Sequence, residues 1–100
     1  MKNANFREAN ICRSTFISAS LLNVDMVRCI AKDCNFGRAR LVSADMREGD
    51  FENSNFNDSS LYQANLEKAN LQFCTLTDTN LERANISNMR GGMDRNNQLA

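Results

Sequence analysis

Histidine is absent from this sequence, and so are tryptophan and proline. Without histidine the chain has neither the commonest metal ligand nor the commonest general base. A charge surplus is missing too, because 12 basic residues balance 12 acidic ones. That weighs against a nucleic-acid binder, which carries a basic excess, and against an acidic mimic of nucleic acid. No run of apolar residues approaches the ~18 needed to span a membrane. The opening Met1-Lys2-Asn3-Ala4-Asn5-Phe6 has no apolar stretch of a cleaved secretory signal, so none is expected there. There is no glycine-rich phosphate loop; Gly91-Gly92 reads as a terminator. At 100 residues the chain holds one domain at most.

The four cysteines, Cys12, Cys29, Cys34 and Cys74, match no zinc spacing and form no C-x-x-C. They read as reduced thiols of a cytosolic-type protein, three of them small fillers. A cytoplasmic location is expected, or the host cytosol if the segment belongs to a secreted effector.

What the chain does have is a beat of five. Every fifth residue from Phe6 to Ile86 is large and apolar, except Ala31. We call this position the centre. Two residues before it stands a small residue: Ala4, Ala9, Ser14, Ala19, and so on to Ala84, with Val24 the clear exception. One residue before the centre, 11 of 17 positions are Asn or Asp. The two positions after the centre are mostly polar. A helix face recurs at 3.6 residues and a strand face at 2, so neither explains a period of five. The centre and the small residue share one face of an extended segment, and the residues between such pairs must turn a corner.

A second period of 20 counts the corners. Leu21, Leu41, Leu61 and Leu81 fall in one column; Phe16, Phe36 and Phe56 in another; Met26 and Met46 in a third. Like over like at this spacing means four pentapeptides per coil, because identical side chains stack without voids. The small residues follow, since so narrow a tube has little room for a second large side chain per side. The Asn/Asp position suits the corners, where these side chains bond nearby backbone and tolerate unusual φ. The weakest place is Ile30-Ala31. Either Ile30 turns inward, or Ala31 faces in and makes room for Phe51; the unbroken phase on both sides favours the second.

Ala4-Asn5-Phe6, Ala9-Asn10-Ile11, Ala44-Asp45-Met46 and Ala64-Asn65-Leu66, at strict five-residue spacing, resemble the pentapeptide-repeat family, whose consensus is Ala-(Asp/Asn)-Leu-x-x. The resemblance covers residues 4 to 88. It implies an all-β fold, a right-handed four-sided parallel β-helix of about four coils. We expect the β-helix over residues 1–90 and a polar, loose tail over 91–100.

On such a rod the outward residues carry the function. Glu8, Glu48, Asp50, Glu52 and Asp58 lie on convex faces without a pocket and read as solvated. Cys12 is the one outward cysteine; Arg13 alone is poor support for a nucleophile. No catalytic residue, cofactor, metal or small-molecule substrate is expected. Glu8, Arg28, Glu48 and Lys68 alternate in sign at spacing 20, as do Arg38 and Asp58, so pairing between coils is expected. The best contact surface is the apolar stripe Leu22, Val42 and Tyr62, with Ile17 and Val27 on adjacent sides. Phe73, alone, says little. Open coil ends can also pair with a second copy. The expected role is a non-enzymatic protein-interaction or scaffold module, which the resemblance places in bacteria. The alternative, from members of the family that act in quinolone resistance, is a DNA mimic binding gyrase or topoisomerase. This chain is shorter than those and neutral where they are acidic.

Overall fold

Five backbone N–H groups per repeat need acceptors, and the fold follows from where they go. In the computed structural model, which describes residues 2–92, three of the five bond between coils. The centre donates to the carbonyl of the residue before the centre one coil on, as Phe36 does to Asn55 (2.7 Å). The residue before the centre donates to the small residue's carbonyl one coil back, as Asn65 does to Ala44 (2.9 Å). The second residue after the centre donates forward, as Lys68 does to Ser87 (2.9 Å). The fourth N–H closes the corner: Ala69 donates back to Leu66 (3.0 Å). The fifth goes to a side chain, described below.

Successive coils meet through single-residue parallel pairings, each 20 residues apart, from Asn5 with Asp25 to Asn65 with Asn85. Among the described residues only β1 (Asn70–Leu71) and β2 (Arg90–Gly91) lengthen into two-residue strands, paired in parallel. The chain is therefore a four-sided parallel β-helix, as the 20-residue columns predict.

The corners differ from the sequence expectation. Positive φ falls not on the Asn/Asp position but three residues later, on the second residue after the centre. All 18 such positions from Asn3 to Asn88 have φ between 55° and 63°. With the closing bond this is the arrangement of a type II turn. Most of these residues are neither Gly, Asn nor Asp, and each pays for a left-handed backbone. From Asn3 to Lys68 the forward N–H bond of that same residue to the next coil holds it there.

Inside, the centres form the core. Leu21, Met26, Phe36, Leu41, Met46, Phe51, Phe56, Leu61, Leu66, Leu71 and Leu76 are fully buried, each contributing about 1.5–3 kcal/mol of apolar burial. Phe16, Phe36 and Phe56 stack face to face, with centroids 5.1 and 4.8 Å apart and planes within 5°. Phe51 meets both Phe36 and Phe56 edge-on. Its ring leans over Gly49: a Cβ there would lie 2.5 Å from the ring, which is why this small position has lost even a methyl group.

Ala31 faces the core and Ile30 is 41 % exposed, so the second reading of this place holds. The corner after Ala31, like the one after Ile11 in the same column, lacks the closing bond, and here a hydroxyl bridges it. The Cys34 N–H does not close on Ala31 but donates to Ser54 Oγ (3.1 Å), which in turn donates to the Ala31 carbonyl (2.9 Å). The inner thiols also do more than fill space. Cys34 Sγ donates to the Ile11 carbonyl (3.0 Å) and Cys74 Sγ to that of Phe51 (2.9 Å). Burial pushes the Cys29 thiol up to about 12, helped by Cys34 nearby, and that of Cys74 up to about 11. Neither is a thiolate at neutral pH.

The coil continues through Gly91, whose backbone crosses so close to Leu71 and Gln72 that a Cβ would lie 2.5 Å from Gln72. Gly91 and Gly92 both have positive φ, breaking the five-residue phase. Gly92 is buried beside Met89, Leu76 and Leu71. The expected tail beyond it, 93–100, lies outside the described residues.

Candidate interaction surface

The fifth N–H of each repeat belongs to the first residue after the centre, and it points outward. Where an Asn or Asp precedes the centre, its Oδ1 accepts this N–H. All eleven do so: Asn5 to Arg7, Asn10 to Cys12, Asp25 to Val27, Asn35 to Gly37, Asp45 to Arg47, Asp50 to Glu52, Asn55 to Asn57, Asn65 to Glu67, Asn70 to Gln72, Asn80 to Glu82 and Asn85 to Ser87. The recurrent Asn or Asp of the repeat is thus an internal acceptor for the one donor the ladder leaves over.

Of the six repeats without Asn or Asp there, one borrows an acceptor from the coil before, Thr77 donating to Asn57 Oδ1 (3.0 Å), and among the described residues the other five have none. Ile17, Leu22, Val42 and Tyr62 follow Thr15, Ser20, Arg40 and Ser60, and among the described residues their N–H groups bond nothing in the chain. Lys32, after Ile30, is the other instance. Leu22, Val42 and Tyr62 stand one above another on a single side, half-buried, and their outward donors form a column with the coil spacing of ~4.8 Å. The column ends at Glu82, whose N–H is taken by Asn80 (2.9 Å). So the apolar stripe and the open donors are the same residues. Sequence reasoning found the first and missed the second, although non-Asx residues at 20, 40 and 60 were a signal for it.

The five stripe residues fare differently. Leu22, Val42 and Tyr62 make one surface. Ile17, 49 % exposed, stands on the preceding side against a notch of about 220 Å³ lined by Asn35, Gly37, Arg38, Asn55, Asn57 and Asp58. Val27 is not surface at all: it is 2 % exposed. Its neighbours one coil away on either side are Arg7 and Arg47, and both guanidiniums fold back, Arg7 on to Asp25 (2.9 Å) and Arg47 on to Asp45 (2.7 Å). Their methylene stems are thereby drawn over Val27. The contact stripe loses this residue.

The charges also pair differently from expectation. Arg28 meets Glu8 (3.0 Å), one rung of the expected ladder. Among the described residues Glu48 and Lys68 form no ion pair, and Arg38 does not pair with Asp58. Apart from a loose vertical contact of Lys32 with Glu52 (3.9 Å), the pairs the column view missed run diagonally or within one repeat. Arg7 reaches Asp25 and Lys32 reaches Asp50, each 18 residues on, while Arg47 grips Asp45 two residues back. Arg47 donates to both carboxylate oxygens of Asp45 and holds its carboxyl below the usual range. Among the described residues no group of three His, Cys, Asp or Glu side chains is set to hold a metal ion, and no helix is long and apolar enough to cross a membrane.

With this geometry in hand, comparison with known proteins is direct. No curated protein sequence matches the chain. Solved structures do. The chain is similar to HetL from Nostoc sp. strain PCC 7120, a pentapeptide repeat protein involved in heterocyst differentiation regulation. That match has 19 % identity and a TM-score of 0.55, covering 99 % of this chain and 48 % of HetL. It is similar also to a pentapeptide repeat protein of the Arabidopsis thaliana thylakoid lumen, at 22 % identity and a TM-score of 0.45, over 84 % of this chain and 66 % of that one. The chain thus spans about half the length of HetL, and at these identities the likeness shows the fold alone. The family model for pentapeptide repeats matches, with eight copies, residues 1–30, 27–58, 34–72 and 64–88. The chain belongs to the pentapeptide-repeat family, with its right-handed quadrilateral β-helix.

Proposed function

We propose that this chain is a non-enzymatic protein-interaction module of a bacterial pentapeptide-repeat protein, working in the cytoplasm, and that Leu22, Val42 and Tyr62, flanked by Ile17, are its contact face. One observation carries the reading. Among the described residues, on this side alone an apolar column coincides with a column of outward N–H donors that no side chain accepts. Apolar area supplies affinity and open main-chain donors supply register, which is the division of labour in recognition along a sheet. Nothing in the coil requires the arrangement, because Asn80 and Glu82 complete the same column in the closed form.

The test is site-specific photocrosslinking in the native cell. A benzoyl-phenylalanine at Val42 should capture one defined protein species, and the same group at Glu48 on a neighbouring side should not. The triple variant Leu22→Ser, Val42→Ser, Tyr62→Ser, with the probe moved to Ser43, should keep its melting transition and lose the adduct. Equal capture from both sides, or an adduct untouched by the triple variant, refutes the reading.

A further inference from the structure

Seventeen of the 18 left-handed corner positions carry polar or charged side chains; the other carries Phe73. A phenyl group is poorly placed there twice over. Its backbone φ is 63°, a region bulky residues avoid. Its ring is 76 % exposed, so it recovers little of the burial that normally offsets such strain. The next links are its neighbours. The ring forms one wall of a cavity of about 350 Å³ whose other walls are Lys32, Asp33, Glu52 and Asn53. This opening differs from the stripe in both place and chemistry. Phe73 and the Tyr62 column stand half a coil apart, on opposite sides.

The charges around the cavity do not cancel. Lys32 is drawn to Asp50 (3.5 Å) and, more loosely, to Glu52 (3.9 Å), so one ammonium serves two carboxylates. Asp33 has no cationic partner among the described residues. Its Oδ1 accepts a bond from Asn53 Nδ2 (2.6 Å), which orients the carboxylate without neutralising it. Arg13 stands one coil away at the same corner and forms no ion pair with it. Phe73 and Asp33 stand two coils apart at the same corner, with Asn53 between them, and line one cavity. An exposed aromatic face and an oriented, unneutralised carboxylate in one opening are attractive to a cation, through the ring quadrupole and through charge together.

We propose that this corner is a receptor for an arginine side chain of a partner protein, the guanidinium stacking on Phe73 and pairing with Asp33. Arginine suits the cavity better than lysine, because a planar guanidinium stacks on a ring and offers parallel donors to a carboxylate. The inference rests on the reading of the chain as an interaction module but names a second, separate contact point.

Three soluble probes test it by ¹H–¹⁵N correlation spectra: N-acetyl-arginine amide, its neutral isostere N-acetyl-citrulline amide, and N-acetyl-lysine amide. The arginine probe should shift the Phe73, Asp33 and Asn53 amides with a dissociation constant in the millimolar range, as befits a single side chain. Citrulline should leave them unmoved, and lysine should bind about threefold or more weaker. Phe73→Asn places a residue that tolerates the left-handed corner, so its melting temperature should hold or rise while arginine binding falls about threefold or more. Asp33→Asn should act likewise on binding and flatten its salt dependence. Citrulline binding as well as arginine, absence of shifts at millimolar arginine, or a Phe73→Asn variant that melts lower each overturn the proposal; the last would make Phe73 a structural residue. None of these outcomes bears on the crosslinks at Val42, so the two readings fail separately.

Discussion

One side of the rod carries Asn5, Asp25, Asp45, Asn65 and Asn85 before its centres; another carries Ser20, Arg40 and Ser60. Both bury the same kind of core and form the same ladder. Both are closed by the same corner turns, as at Ala69 on Leu66 and at Ala64 on Leu61. They differ in the fate of one N–H per repeat. On the first side a carboxamide or carboxylate accepts it; on the second it is left facing out. The coil therefore does not depend on the Asn/Asp residue to form, only to satisfy its outer surface. A side without it is equally folded and unequally available.

The largest effects should fall on what the two sides share. Phe36 lies in the middle of the aromatic stack and is fully buried. Phe36→Asp removes a side chain worth about 3–5 kcal/mol and buries an unpaired charge besides. The sum is comparable to the whole stability of a small domain. Both sides should be lost together, because each coil is held only by its neighbours. Far-UV circular dichroism would report a collapse of the β signal, and an unchanged melting curve would overturn the inward placement of this column.

The next effect separates the sides. Asn65→Ala leaves the Glu67 N–H without its acceptor at 3.1 Å, at a cost of about 1 kcal/mol. Ser60→Ala removes a side chain that accepts no such bond and should cost almost nothing. Ser60→Asn should close the Tyr62 donor and stabilise by a similar ~1 kcal/mol, while weakening any partner held there. Urea unfolding measures the three, and amide exchange gives the sharper view: the Tyr62 N–H of the parent should exchange faster than the Glu67 N–H. Equal costs for Asn65→Ala and Ser60→Ala would remove the distinction.

The architecture was legible in the sequence because period, column and residue size all point inward, where packing is decisive. Ala31, Phe51 and the leucine column sit where the pattern of 20 puts them. The outer surface was less legible, for a physical reason. Whether an outward position is exposed depends on which long side chains fold across it, and period carries no information on that. Val27 is covered because Arg7 and Arg47 find carboxylates at Asp25 and Asp45; a reading by columns alone pairs charges vertically and misses both. The corner was misplaced because Asn and Asp tolerate positive φ, yet here they act as acceptors in nearly extended backbone. The strain falls on Glu, Arg, Lys and even Phe73. Ser54 bridging the Ala31 turn could not be read at all, since it depends on two coils meeting at one small side chain.

The smallest effect concerns pH and belongs to the Asn/Asp side alone. Asp45 accepts from the Arg47 backbone and is gripped at both oxygens by the Arg47 guanidinium, which lowers its pKa in the folded chain below the ordinary 3.8. A folded pKa below the unfolded one means that the carboxylate contributes stability in full above the unfolded value. The contribution is lost as pH falls through the folded value. Asp45→Asn separates charge from acceptor, because an asparagine still offers an oxygen to the Arg47 N–H, as Asn65 does to Glu67. The parent should therefore exceed Asp45→Asn in urea midpoint by a constant small margin from pH 7 down to about pH 5. The margin should shrink once the pH passes below 3.8. It should be narrower than the Asn65→Ala deficit, since the pair is partly solvated and screened by salt. Ser60→Asn should show no such pH dependence, because the side of Leu22, Val42 and Tyr62 has no carboxylate at Ser20, Arg40 or Ser60. A margin that grows towards acid would mean that Arg47 does not hold Asp45 in solution, and the cover over Val27 would go with it.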